Sequence, residues 1–238
     1  MNRLQAELRR LYLVDDPAAP AGSVRAMVLE LGGPEAWSGL APVWQGVQAD
    51  LELPAPAIAV TGGEGLQLWF SLAAPVDAGR AAAFLEGLRR RFLAGQPASR
   101  VRAAPSPGAS ALPDFPPQPV AADRWSAFVA RDLAPLFDDE PWLDQPAGPD
   151  AQADLLSRLE PIPLRGFEQA LARLGQAPAA AAPGAAAGLA GPATATATAC
   201  EGETLAPRAF LRRVMNDPAV EMALRIEAAK ALLPHLDG

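Results

Sequence analysis

One cysteine, one histidine, one lysine and one tyrosine are all that 238 residues supply of those four types, and each scarcity closes off some chemistry. With Cys200 alone, no internal disulfide can form and no thiolate metal cluster can assemble, which fits a reducing cytoplasm. With His235 alone, a multi-histidine metal site within one chain is excluded and a Ser/His/Asp triad is disfavoured. A long apolar run is also lacking. The uncharged stretch from Ala177 to Pro192 is mostly Ala and Gly, is broken by Pro178, Pro183 and Pro192, and holds one large apolar side chain, Leu189. The N-terminal MNRLQAELRRLYLVDD is charged throughout and lacks the apolar centre of a signal peptide. The expectation is a soluble, cytoplasmic protein without a membrane partner.

Positive charge is short as well. The net charge of −7 gives no general drive toward nucleic acid or an anionic membrane, so a polyanion would need a local basic patch. Residues 1–174 carry −6 and residues 205–238 carry +1. All the basic residues but Lys230 are arginines, which a GC-rich coding sequence explains as readily as phosphate recognition does. What is present suffices for a core: half the residues are hydrophobic and 20% are charged. The 26 prolines and 20 glycines foretell much irregular backbone.

Leu4, Leu8 and Leu11 at helical spacing predict a short amphipathic helix ending near Asp15, Asp16 and Pro17. VRAMVLEL, Val24 to Leu31, reads as a buried strand stopped by Gly32, Gly33 and Pro34, with Glu30 its single acid. Pro34 is expected to open a helix at its first turn, with Trp37 and Trp44 facing the core and Pro42 kinking or splitting it. IAV, the turn TGGEG and LQLWFSL predict a β-hairpin, with Leu66, Leu68, Phe70 and Leu72 on one face and Gln67, Trp69 and Ser71 on the other. A helix follows from Pro75 to Leu93, then a short strand in ASRVRAAP. ALPDFPPQPVAAD reads as a surface loop without regular hydrogen bonding, WSAFVA as a strand, and 132–137, 150–159 and 164–174 as short helical pieces. The predicted class is α+β: a mixed or antiparallel sheet with a central β-hairpin and flanking helices, plus a small helical C-terminal tail.

Three segments follow: an α/β main domain over 1–174, an Ala/Pro/Gly-rich flexible linker over 175–204, and a two-helix tail over 205–238. Thirteen alanines in thirty positions leave the linker nothing to build a core with. The tail is too small to fold securely alone, so it is expected to dock on the main domain, on another copy or on a protein partner.

The hairpin carries the most specific chemistry. TGGEGLQLWFSL resembles the second signature of archaeo-eukaryotic primase-polymerase domains, in which a small polar residue and a Gly-rich turn lead into a strand opening with glycine, an apolar residue and histidine. Thr61, Gly62, Gly63 and Gly65 match the turn, and the histidine position is Gln67. In that family the histidine contacts nucleotide phosphate and the glycines let backbone approach the triphosphate. Gln67 can donate a hydrogen bond but carries no positive charge. The family's first signature is a strand with two metal-binding acids one residue apart. VRAMVLEL offers Glu30 alone, because the partner positions are Val28 and Gly32. A third acid would fall on Asp114 or Asp123.

The resemblance covers about residues 24–125. It implies a degraded, noncatalytic relative that binds nucleotide or single-stranded nucleic acid, with Arg100 and Arg102 sharing a strand face toward the ligand and Glu30 the one metal ligand. No cofactor is required by the residues themselves; the resemblance implies Mg2+ accompanying nucleotide. LAPRAFLRRVMNDPAVEMALRIEAAKALLPHL looks like a helical segment of phage terminase-associated proteins, carried by Arg225, Ala228, Ala229, Lys230 and Pro234, which implies a replication or mobile-element setting.

Plain readings stand beside these. A Gly-rich turn serves hairpin geometry in many sheets, and the alternative function is an acidic protein–protein interaction scaffold with a tethered tail and no nucleotide site. The acids Asp132, Asp138, Asp139, Glu140 and Asp144 lack calcium-loop spacing and read as a solvated loop. Tyr12 is expected to be a partly buried packing residue. Trp69, on the hairpin's more polar face, is the candidate for base stacking.

Overall fold

A computed structural model of the chain describes residues 2–14, 19–106 and 111–175. The expected linker and tail beyond residue 175 lie outside the described residues, as do Cys200, His235 and the stop at Asp15 to Pro17.

The first helix, α1 (Arg3–Tyr12), is closed at its start by a capping box: Gln5 N donates to Asn2 Oδ1 at 2.8 Å, and Asn2 N donates to Gln5 Oε1 at 3.2 Å. Its stripe of Leu4, Leu8 and Leu11, extended by Tyr12, turns inward. Then come β1 (Ser23–Gly32), α2 (Ala36–Ala49), β2 (Ala57–Val60), β3 (Gly65–Asp77), α3 (Ala78–Phe92), β4 (Val101–Ala104), β5 (Pro119–Ala121), β6 (Arg124–Trp125), β7 (Ala127–Val129), α4 (Pro149–Ser157) and α5 (Leu164–Gly175). Five strands form one sheet in the order β4-β1-β3-β2-β7, antiparallel at every junction, so the expected α+β class is the one observed. β5 and β6 pair as a separate small hairpin.

Apolar layers cover both faces of the sheet. Met27, Leu29, Leu31, Leu66, Leu68, Phe70 and Leu72 pack on one side with side chains of α2, α3 and α5. Ala26, Val28, Ala57, Ala59, Trp69 and Phe128 pack on the other with side chains of α1 and α4.

Several local expectations need correction. α2 starts at Ala36, with Glu35 as its N-cap at φ 56°, so Pro34 lies before the helix rather than in its first turn. It runs through Pro42 unbroken, because Leu40 and Val43 on either side are buried in the core. The helix expected from Pro75 starts instead at Ala78, where the Asp77 carboxylate accepts from Gly79 N at 2.9 Å and Arg80 N at 3.2 Å. Pro75 belongs to β3. The β1–β3 register jumps there from Ala26 opposite Ser71 to Val24 opposite Val76. That irregularity leaves a place where a residue without an N–H costs nothing. Part of the freed backbone pairs elsewhere, Ala73 N donating to Ile162 O and Ile162 N to Ser71 O, both at 2.8 Å. The Pro-rich loop supplies β5, which pairs with β6 just after it, and Ser126 N donates to Gln118 O at 2.9 Å.

Candidate functional site

The register of the sheet creates a polar row. Gln67 on β3 stands opposite Glu30 on β1, and Glu30 stands opposite Arg102 on β4. Directly paired residues of antiparallel strands project to the same face about 5 Å apart, so the three side chains meet. Gln67 Nε2 donates to Glu30 Oε2 at 2.8 Å, and Arg102 NH1 donates to Glu30 Oε1 at 3.2 Å. Two residues along β3 on the same face, Trp69 Nε1 donates to Gln67 Oε1 at 2.8 Å. The indole N–H is a donor only, so it dictates which way the Gln67 amide points: the oxygen turns inward and the NH2 turns toward the carboxylate. Trp69 thereby holds Gln67, and Gln67 holds Glu30. The Glu30 side chain is 17% exposed and that of Arg102 is 79% exposed, so this chain of contacts runs from the core to solvent.

The hairpin turn sits beside the row. Thr61 Oγ1 accepts from Gly63 N and from Gly65 N, each at 3.1 Å, while Gly62 N donates to Pro141 O at 2.9 Å. Three amides of the turn are therefore already committed. The glycines serve different ends. Gly62 has φ +76°, and a Cβ there would fall 2.6 Å from Val120 and 2.8 Å from Ser126 N. At Gly65 a Cβ would lie 2.5 Å from Leu31 O, so close approach of β1 requires the missing side chain. At Gly63 the nearest atom would be Thr61 Oγ1 at 3.6 Å, and the space beyond is open.

Across the cavity from the turn, Arg100 Nε donates to Gly32 O at 2.7 Å, NH1 donates to Gln96 Oε1 at 3.2 Å, and NH2 donates to Pro34 O. Arg100 closes a 3-10 turn before β4 rather than sharing a strand face with Arg102, and its guanidinium is spent on the backbone leaving β1. Gly33 N also donates to Glu64 O at 2.6 Å, tying that backbone to the hairpin turn.

These groups enclose a cavity of about 760 Å3. Glu30, Thr61, Gly63, Gln67, Arg100 and Arg102 line it, with Gly32, Gly33, Pro34, Glu64, Ser99 and Val120. Of the residues singled out in the sequence, Gly62 and Gly65 lie behind the wall, and Asp114 and Asp123 are not among the lining residues. Glu64 was overlooked although it stands inside TGGEG; the alternation of the following strand says nothing about a turn side chain. Ser99 and Val120 carry no local signal at all. Each Glu30 oxygen accepts one hydrogen bond and keeps a further lone pair, and among the described residues no group of three His, Cys, Asp or Glu side chains is placed to hold a metal ion.

Three other expectations change. Trp69 is 1% exposed, among the Tyr12, Phe115 and Phe128 rings at 5.3 to 6.0 Å, so it cannot stack on a base without unpacking the second core. Asp138 is no solvated loop acid: its carboxylate accepts from Trp37 N and from Ser38 N at 3.3 Å and Ser38 Oγ at 2.9 Å, capping α2 from a distant segment. Asp132, Asp139, Glu140 and Asp144 are exposed. Tyr12 is more deeply buried than expected, at 2% exposed, and its hydroxyl has no hydrogen-bond partner.

Neither the protein-family models nor the curated proteins contain a match to the chain. Among solved structures it is similar to the AEP domain of the primase-polymerase (PrimPol) of cyanophage S-2L, at 20% identity and a TM-score of 0.26. The match covers 57% of this chain and 61% of that one, less than two thirds of the AEP domain's chain. A superposition this loose assigns no function. Among the described residues no helix is long and apolar enough to cross a membrane.

Proposed function

We propose that the chain is a noncatalytic, primase-like protein that binds nucleotide or single-stranded nucleic acid in a replication or mobile-element setting. One observation carries this reading: six residues singled out through the primase-polymerase resemblance, from three separate stretches of chain, line a single cavity. Its volume falls within the roughly 300 to 1,000 Å3 of small-molecule sites. The binding role falls to Gly63, whose missing side chain leaves room beside the turn, and to Arg102, whose exposed guanidinium can leave Glu30 for a phosphate. Gln67 and Arg100 shape the walls, and Thr61 orders the turn.

The noncatalytic part rests on Glu30. Phosphoryl transfer by two metal ions needs carboxylates that converge on them. Here the sheet provides one, already held by Gln67 and Arg102, and Glu64 is an exposed carboxylate on the turn. Mg2+ would enter with a nucleotide's own phosphates rather than in a protein cage.

Calorimetry with a nucleoside triphosphate and Mg2+ is the test. The natural chain should bind, and Gly63→Val, which fills open space without disturbing the fold, should weaken binding about tenfold or more, as should Arg102→Ala. Absence of heat from the natural chain removes the reading.

The scaffold alternative is favoured by the turn's committed amides and by a cavity lined by two arginines and two glutamates, which leave it without net positive charge. It requires the tail as a second contact. A chain ending at Gly175 that keeps every partner of the full chain in pull-downs eliminates it.

A further inference from the structure

We infer that Trp142 and Arg124 form a base-stacking platform beside the cavity, so that a single-stranded polynucleotide gains a contact there that a free nucleotide does not. The inference rests on the nucleotide reading above. A second cavity of about 450 Å3 shares Gly33, Pro34, Gly63 and Glu64 with the first, so the two lie on either side of one ridge. Trp142 and Arg124 form the far wall, with the guanidinium carbon of Arg124 3.9 Å from the indole centroid.

The platform is built. Pro141 O accepts from Gly62 N at 2.9 Å, and Leu143 pairs with Trp125 in both directions, N to O at 3.0 Å and O from N at 2.9 Å. Trp142 is thus anchored on one side to the glycine turn of the first cavity and on the other to β6. Its indole is half-buried while Arg124 is exposed. The Arg124 guanidinium covers one face of the indole and is itself exposed, so an unpaired base stacks on the outer side of that guanidinium, and bases paired inside a duplex are out of reach.

Charge on the ridge decides which part of a strand lies here. Glu64, Asp138 and Asp139 line this second cavity, and Asp138 is occupied in capping α2. The exposed carboxylates of Glu64 and Asp139 disfavour phosphates in this second cavity. A strand avoids them by laying a base on the Arg124–Trp142 stack and turning its spaced phosphates toward Arg102.

The full-length chain would be titrated into a labelled oligothymidylate of about twelve nucleotides, within the span of known single-strand sites, with a nucleoside triphosphate and Mg2+ titrated separately. Trp142→Leu should weaken the oligonucleotide roughly tenfold, the loss of one stacked base, and leave triphosphate affinity unchanged. Arg124→Ala, on an exposed side chain, guards against a Trp142 variant that fails to fold and should weaken the oligonucleotide several-fold. Unchanged oligonucleotide affinity in folded variants overturns the platform, as does a natural chain that binds triphosphate but no oligonucleotide; in both cases the nucleotide reading survives. A natural chain that binds neither overturns both.

Discussion

The two faces of the central sheet are built from the same five strands and end differently. On one, Met27, Leu29 and Leu31 of β1 lie beside Leu66, Leu68 and Phe70 of β3, and apolar side chains of three helices cover them. On the other, Ala26, Val28 and Trp69 start the same way, but one step further along each strand Val28 gives way to Glu30 and Trp69 to Gln67, and a cavity opens there. The first face shows what the fold needs. The second shows where buried polar groups and a cavity replace apolar packing.

Substitutions that separate the two faces follow, in descending size. Phe70→Ala on the closed face, where Phe70 meets Phe84 edge-on at 5.8 Å, should cost about 3 to 5 kcal/mol in urea denaturation. A loss under about 1 kcal/mol would mean that this face is loosely packed. Gln67→Leu on the polar face should cost about 1 to 3 kcal/mol, because the buried Trp69 N–H is left without an acceptor and Glu30 loses a donor. Adding Trp69→Phe should recover part of that loss in a double-mutant cycle; strict additivity would show that the Trp69–Gln67 link contributes nothing.

Asp138→Ala should cost about 0.5 to 2 kcal/mol by uncapping α2, visible as a lower thermal midpoint. Tyr12→Phe should change stability by less than about 1 kcal/mol at neutral pH, because the hydroxyl it removes has no partner. Its effect lies at high pH. Burial, opposed by the nearby Arg10 charge, raises the Tyr12 pKa well above its ordinary value of about 10, so the unfolded chain ionises first. The phenol's contribution is complete below pH 10 and is lost as pH rises toward the folded-state value. Denaturation midpoints at pH 7 and pH 11 should therefore fall further for the natural chain than for Tyr12→Phe, and equal falls would refute this account.

Much of the closed face was legible in the chain. The runs VRAMVLEL and LQLWFSL, the turn between IAV and LQLWFSL, and the helix bearing Phe84, Leu85 and Leu88 are local patterns, and local patterns survive folding. The polar face was legible only in part. Glu30 and Gln67 stood out as polar residues in apolar runs, yet alternation placed Trp69 with them as if exposed. The misreading came from assuming that one face of the hairpin meets solvent. Tyr12, Phe115 and Phe128, distant in sequence, cover it instead.

By itself the sequence determined the order of the main elements, the hairpin with its glycine turn, and the scarcity of cysteine and histidine that bars thiolate clusters and multi-histidine sites. These depend on residue type and on neighbours along the chain. Only tertiary structure decided that Glu30 meets Gln67 and Arg102, that Gly62 and Gly65 serve close packing while Gly63 borders open space, that Asp138 caps a helix about a hundred residues before it, and that Glu64, Ser99 and Val120 share one wall. Strand register and the meeting of distant loops settle those contacts, and both are set by how the whole chain buries its apolar surface.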